Sequence, residues 1–159
     1  MVRFEEVTEQ VNTLAKEIQE KYFRDLANVK ITYLFDTKKR SSGDRLVLGK
    51  CQKTNDMVKH FTIDEAQDEE GYQYVITLDK IAYDNISDVD RVRLIRHELR
   101  HILVIETEKK THYRVNPHDI EDFVDEVELN KDDPGWANRV GQMIQLIYDQ
   151  MEEEAKDKK

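Results

Sequence analysis

The sequence has a single cysteine, Cys51, so no disulfide can form within it and stability has to come from a packed core. Its only prolines are Pro117 and Pro134, and five glycines are spread along the chain, so no Pro- or Gly-rich linker divides it. No repeat period is visible. No apolar run approaches the length that spans a bilayer, and Met1-Val2-Arg3-Phe4-Glu5-Glu6 lacks the apolar core of a signal peptide. Positive charge is in deficit: 25 Lys and Arg against 34 Asp and Glu leave a net charge of −9. That balance argues against a general nucleic-acid binder, which would carry a basic patch and a high isoelectric point. The expectation is a reducing, cytoplasmic setting, with no membrane partner and no autonomous nucleic-acid binding.

What is present suits one α+β domain. The 159 residues are 38% hydrophobic and 37% charged, enough apolar residues for a core beneath a highly charged surface. The spacing of Phe4, Val7, Val11, Leu14, Ile18 and Tyr22 predicts an amphipathic helix over 3–27. Strands are expected at 29–35, at 45–51 with Gly49 at a bulge, and within 71–80, with 55–70 as connecting loop. A charged turn at 106–110 precedes a short strand at 111–115. Asn116-Pro117 reads as a helix start, with Ile120, Phe123, Val124 and Val127 facing inward, and Trp136 opens a last amphipathic helix. The resulting picture is a small three- to four-stranded sheet packed by an N-terminal helix, a central helix and C-terminal helices. The domain covers 1–151, and 152–159 form a charged flexible tail.

The central helix carries the chemistry. Arg96-His97-Glu98-Leu99-Arg100-His101 lies in a run, 92–105, with helical apolar spacing, and Ser87 or Asp88 is its expected N-cap. Residues four apart stand on one face of a helix, so His97 and His101 can aim imidazole nitrogens at one metal ion. Glu98, one step round, can reach a water on that ion. This is the zincin arrangement, two histidines on Zn²⁺ and a glutamate as general base. The alternative is an amphipathic core helix with two incidental histidines. In a zincin, the strand before the helix, Tyr74-Val75-Ile76-Thr77-Leu78, commonly forms the sheet edge on which substrate backbone pairs; an ordinary interior strand is the other reading.

A catalytic zinc takes three protein ligands and keeps one position open. His112 and His118 both follow the motif, and Asp119, Glu121 and Asp122 are acidic alternatives; His118 is better placed, because a helix start fixes its direction. Tyr113, His112 and Arg114 are candidates to stabilise an oxyanion or bind substrate. Arg100, with Arg96, either favours acidic substrates or makes structural ion pairs, the latter being the more common use of such residues.

Several stretches together resemble a known family. Leu48-Gly49-Lys50-Cys51-Gln52-Lys53, the strand Tyr74 to Leu78, His97-Glu98-Leu99-Arg100-His101-Ile102, then His118-Asp119-Ile120-Glu121-Asp122-Phe123 and Trp136 resemble the phage-type metallopeptidases. These are small zincins related in layout to SprT-like proteases. The resemblance implies a minimal zincin-like domain, one Zn²⁺ per chain held by His97, His101 and His118, and hydrolysis of a peptide or protein substrate with Glu98 as base. Two other readings remain open: a non-hydrolytic module that keeps zinc for stability, closed by Asp119, Glu121 or His112, and a peptidase recruited to DNA-bound proteins. Bulky, cationic Arg100 and the charged insert at 106–115 depart from the pattern.

Overall fold

In a computed structural model, which describes residues 2–117 and 123–158 (the Val124 side chain excepted), the chain folds around a four-stranded mixed sheet. Strand β1 (Phe4–Glu6) leads into helix α1 (Glu9–Tyr22) and a short 3-10 helix (Arg24–Leu26); β2 (Ile31–Asp36) follows. A hairpin, β3 (Ser41–Ser42) and β4 (Arg45–Leu46), turns through Gly43 at φ 61°, a left-handed conformation that glycine adopts without strain. Next come β5 (Gly49–Lys53), the short helices α2 (Asp56–Phe61) and α3 (Ile63–Ala66), and β6 (Tyr74–Asp79). Helix α4 (Lys80–Asn85) and the central helix α5 (Asp88–Arg100) precede a two-stranded ribbon, β7 (Ile102–Glu106) and β8 (Thr111–Val115). Helices α6 (Val124–Leu129) and α7 (Trp136–Asp157) complete the chain. The architecture is the expected small α+β domain.

The sheet order is β1-β2-β6-β5, with β6 parallel to β2 and antiparallel to β5. In strands, alternate residues share a face. One face therefore carries Tyr33 and Phe35 from β2, Tyr74, Ile76 and Leu78 from β6, and Cys51 from β5, all buried. Val11, Ala15 and Ile18 of α1 and Leu94, Ile95 and Leu99 of α5 join them in one core cluster. Strand β6 is thus an interior strand, paired with β2 over Tyr74–Asp79 and with β5 from Tyr74 to Leu78. This corrects the expectation that Tyr74 to Leu78 form an edge for substrate: their backbone groups are already used by β2 and β5. The edge of the sheet beside α5 is β5.

Several boundaries differ from the periodic reading. Phe4–Glu6 pairs with β2 instead of opening the first helix, which starts after Thr8. The expected strand at 45–51 is broken at Val47-Leu48 into β4 and β5. The 55–70 segment is helical, with the Asn55 side chain accepting from Val58 N, and 80–85 forms α4, capped by Asp79. Helix α5 stops at Arg100; β-branched Ile102, Val104 and Ile105 go into β7, where the ladder to β8 satisfies their backbone. Helix α6 begins at Val124, Phe123 is buried as expected, but Val127 is exposed. Ile120 lies outside the described residues. Helix α7 continues through Glu152 to Asp157 with its last two turns exposed.

Helix α5 is fixed by two chemistries. Its apolar side meets the sheet and α1. Its basic stripe, Arg93 and Arg96, is buried too and survives because each guanidinium is paired. At the helix start Ser87 caps Asp90 N, and the buried Asp90 carboxylate accepts from Arg93 at 2.9 Å and from Arg139 of α7 at 2.8 and 3.0 Å. Burial opposes the charged form of Asp90, but the bonds from Arg139 and Arg93 outweigh it and hold the carboxyl below its ordinary value of 3.8. Its contribution to stability is therefore present above pH 3.8 and is lost as the pH falls through the folded value. Asp90→Asn is expected to lower stability at pH 7 by about 1–3 kcal/mol in urea unfolding. The gap to wild type should narrow at pH 3; a gap that is constant with pH would contradict the ion-pair role.

Candidate metal centre

Helix periodicity brings the three motif residues together. The ring centroids of His97 and His101 lie 5.3 Å apart. One ligand atom from each of His97, Glu98 and His101 falls within 4.8 Å of the others, the one such cluster among the described residues. His101 is the C-cap of α5 and still has helical backbone angles, φ −71° and ψ −17°, so it keeps the i, i+4 phase although the helix ends there. Its Nδ1 lies 2.7 Å from the Asn116 carbonyl, which can only accept. Nδ1 therefore carries the proton and the lone pair sits on Nε2, the tautomer a metal ligand needs. Asn116 N returns a bond to the His101 carbonyl at 2.5 Å. The Phe123 ring lies against both imidazoles, 5.4 Å from His97 and 4.9 Å from His101.

Glu98 is in an unusual position for a carboxylate. It is 4% exposed, and its Oε2 is buried with no hydrogen-bond partner. Burial pushes its carboxyl up to about 7, with His97 opposing. The backbone of β5 makes this possible: a Cβ on Gly49 would stand 2.9 Å from Glu98 Oε1, so any larger residue there would displace the carboxylate from its present position. The expectation of a bulge at Gly49 gives way to this close approach. A buried carboxylate with an unused oxygen, beside two imidazoles, is a donor set that fits a divalent cation and its water, and has no evident use without one.

The centre opens onto a groove of about 640 Å³. Residues 44–49, from the β3–β4 hairpin into β5, form one wall, the outer flank of α7 from Trp136 to Leu146 forms the other, and Leu94, His97 and Glu98 form the floor. A cavity of this size is in the range of small-ligand sites.

The other expected site residues are distributed differently. His118, the expected third ligand, and Asp119, Glu121 and Asp122 lie outside the described residues. Tyr113, His112 and Arg114 of β8 do not line the groove. Tyr113 faces the core, edge-on to Tyr74 at 6.0 Å, and His112 pairs with Ile105 and Arg114 with Leu103 on the opposite face of the ribbon. The oxyanion and substrate roles expected of these three find no support in the groove, which none of them lines. Arg100 is used as an ion-pair partner. Its Nε donates to Glu126 at 3.0 Å, and Arg96 Nε donates to the same carboxylate at 2.7 Å. The fully buried Glu126 and Asn130, whose Oδ1 accepts from Arg96 at 2.6 Å, tie α6 to the central helix directly after Phe123. Sequence reasoning missed these two, although the basic stripe 93-96-100 required acidic partners somewhere.

No curated protein and no solved structure matches the chain. The sequence profile of a family described as "Putative phage metallopeptidase" matches residues 2–150, nearly the whole chain. A metallopeptidase family implies a metal ion, and the His97-Glu98-His101 cluster is where one would be held. The chain belongs to this phage metallopeptidase family.

Proposed function

We propose that this protein is a zinc-dependent peptidase that uses Glu98 as general base. The observation that carries the reading is the Glu98 carboxylate: buried, pushed up to about 7, with an oxygen left unpartnered beside two histidines, where Glu98 and His97 line an open groove. Among the described residues His97 and His101 would hold the ion, and His118 is proposed as the third ligand from the sequence pattern. Bound zinc would lower the pKa of a water and polarise the scissile carbonyl. Glu98 would take a proton from that water and return it to the leaving amine. The Asn116 carbonyl holds the His101 tautomer, and the Phe123 ring packs against both imidazoles. Substrate backbone is assigned to β5, the edge strand whose Gly49 lies against Glu98, in place of β6. The substrate is a peptide or protein. The setting is cytoplasmic, which the buried thiol of Cys51 suits.

A structural zinc site would have no use for a base, which favours catalysis over the binding-module reading. Glu98→Gln is expected to retain zinc and lose at least about a hundredfold in the rate of cleavage of a pooled library of blocked decapeptides, followed by mass spectrometry. A fully active variant would overturn the mechanism. Gly49→Ala tests the support beneath the base: displacing the carboxylate should lower kcat by roughly ten- to a hundredfold with zinc content unchanged. Wild-type kcat in Gly49→Ala would show that the close approach has no catalytic consequence.

A further inference from the structure

The peptidase reading leaves the groove beside Glu98 without an assigned occupant. Its walls are unlike the rest of the charged surface. Leu46 and Leu48 on the hairpin side, Leu94 between the walls, and Trp136 and Leu146 on α7 line it, with the amides of Asn138, Gln142 and Gln145 along α7 and the charged Asp44 and Arg45 exposed on the hairpin. Gly141 lies on the same flank of α7, in the interior of a 22-residue helix. A glycine there is unfavourable relative to alanine, because it costs more backbone entropy and contributes no side chain to packing. At Gly141 neither a turn nor a close backbone approach calls for it: a Cβ there would meet nothing within 4 Å. The missing side chain leaves open space directly in the groove.

We propose that this groove receives a large apolar side chain of the peptide next to the bond that is cut, and that Gly141 sets how large that side chain can be. The proposal rests on the peptidase reading for its occupant. The groove is continuous with His97 and Glu98, so whatever fills it lies beside the reacting bond. An ionised side chain would be desolvated against the leucines and is disfavoured there; a leucine or phenylalanine side chain gains from the same burial. Gly141 is a specificity-determining residue and takes no part in the chemistry.

Trp136 is the one tryptophan in the chain and borders the groove from the core, so a change in its emission on adding peptide is the readout of occupancy. The test titrates metal-free wild type, Gly141→Ala and Gly141→Leu with blocked pentapeptides, Gly-Gly-X-Gly-Gly, in which X is Leu, Gly or Asp. It then measures cleavage of the same peptides by the zinc-loaded proteins. In wild type the X = Leu peptide should bind roughly ten- to a hundredfold more tightly than the other two. Gly141→Leu should abolish that preference. Gly141→Ala, expected to melt no lower than wild type because its Cβ meets nothing and alanine favours the helix, should weaken it and gives a folded control. Equal affinity for Leu and Gly peptides in wild type, or an unchanged preference in both variants, would overturn the proposal. So would a Trp136 signal that follows protein concentration without peptide, since a second copy would then fill the groove. Cleavage without side-chain preference would leave the peptidase reading standing and remove this one. Preferential binding with no cleavage of any peptide would remove the peptidase reading and leave the apolar site.

Discussion

The structure depends on holding a carboxylate in a place where a carboxylate is costly. Glu98 sits under the edge strand, nine-tenths or more out of water, with one oxygen against the backbone of Gly49 and the other without a partner. An isolated buried charge is too unfavourable to persist as a structural convenience, so the group spends much of its time protonated near neutrality or waits for a cation. Everything adjacent serves that position. Strand β5 presents glycine there and so leaves the carboxylate its place, α5 approaches the sheet closely enough to make the contact, and His97 and His101 flank the carboxylate on the same helix end.

A helix that carries three such polar groups cannot be held by apolar burial alone. Helix α5 is anchored on its apolar side by the sheet and α1, and on its other side by paired arginines: Arg93 with Asp90 and Asp132, Arg96 and Arg100 with Glu126. Buried ion pairs contribute little net stability compared with a well-packed apolar contact, but losing one partner is strongly unfavourable, so they specify register. Here the register in question is that of α5 against α6 and α7. Arg139 from α7 and Glu126 from α6 reach the two ends of the same helix, so the groove wall, the Phe123 ring and the metal-ligand pair are fixed by one connected set of contacts.

Much of this was legible in the residues. The i, i+4 histidines with an intervening glutamate, the Ser87 cap, the strands at β2 and β6, and the short return strand at 111–115 all follow from local chemistry, and the structure has them. What sequence periodicity could not supply was pairing. Tyr74 to Leu78 look the same whether they form an edge or an interior strand; only the antiparallel addition of β5 decides it. Phe4-Glu5-Glu6 continues a helical pattern but has a strand partner in β2. Ile102 to Ile105 also fits the helical spacing, and is drawn into a ribbon by β8. The Gly49 contact and the Glu126 anchor are tertiary facts about residues far apart in sequence. A glycine in an otherwise β-forming stretch and an unmatched basic stripe were the only traces they left.

The measurement that tests the central claim most directly is the zinc content of untagged protein, for wild type, His101→Ala and His118→Ala, each checked for folding. The account predicts about one zinc per wild-type chain and marked loss in both variants. A folded wild type that takes up no zinc, even after reconstitution, would contradict it, and the buried glutamate between two histidines would then need another explanation.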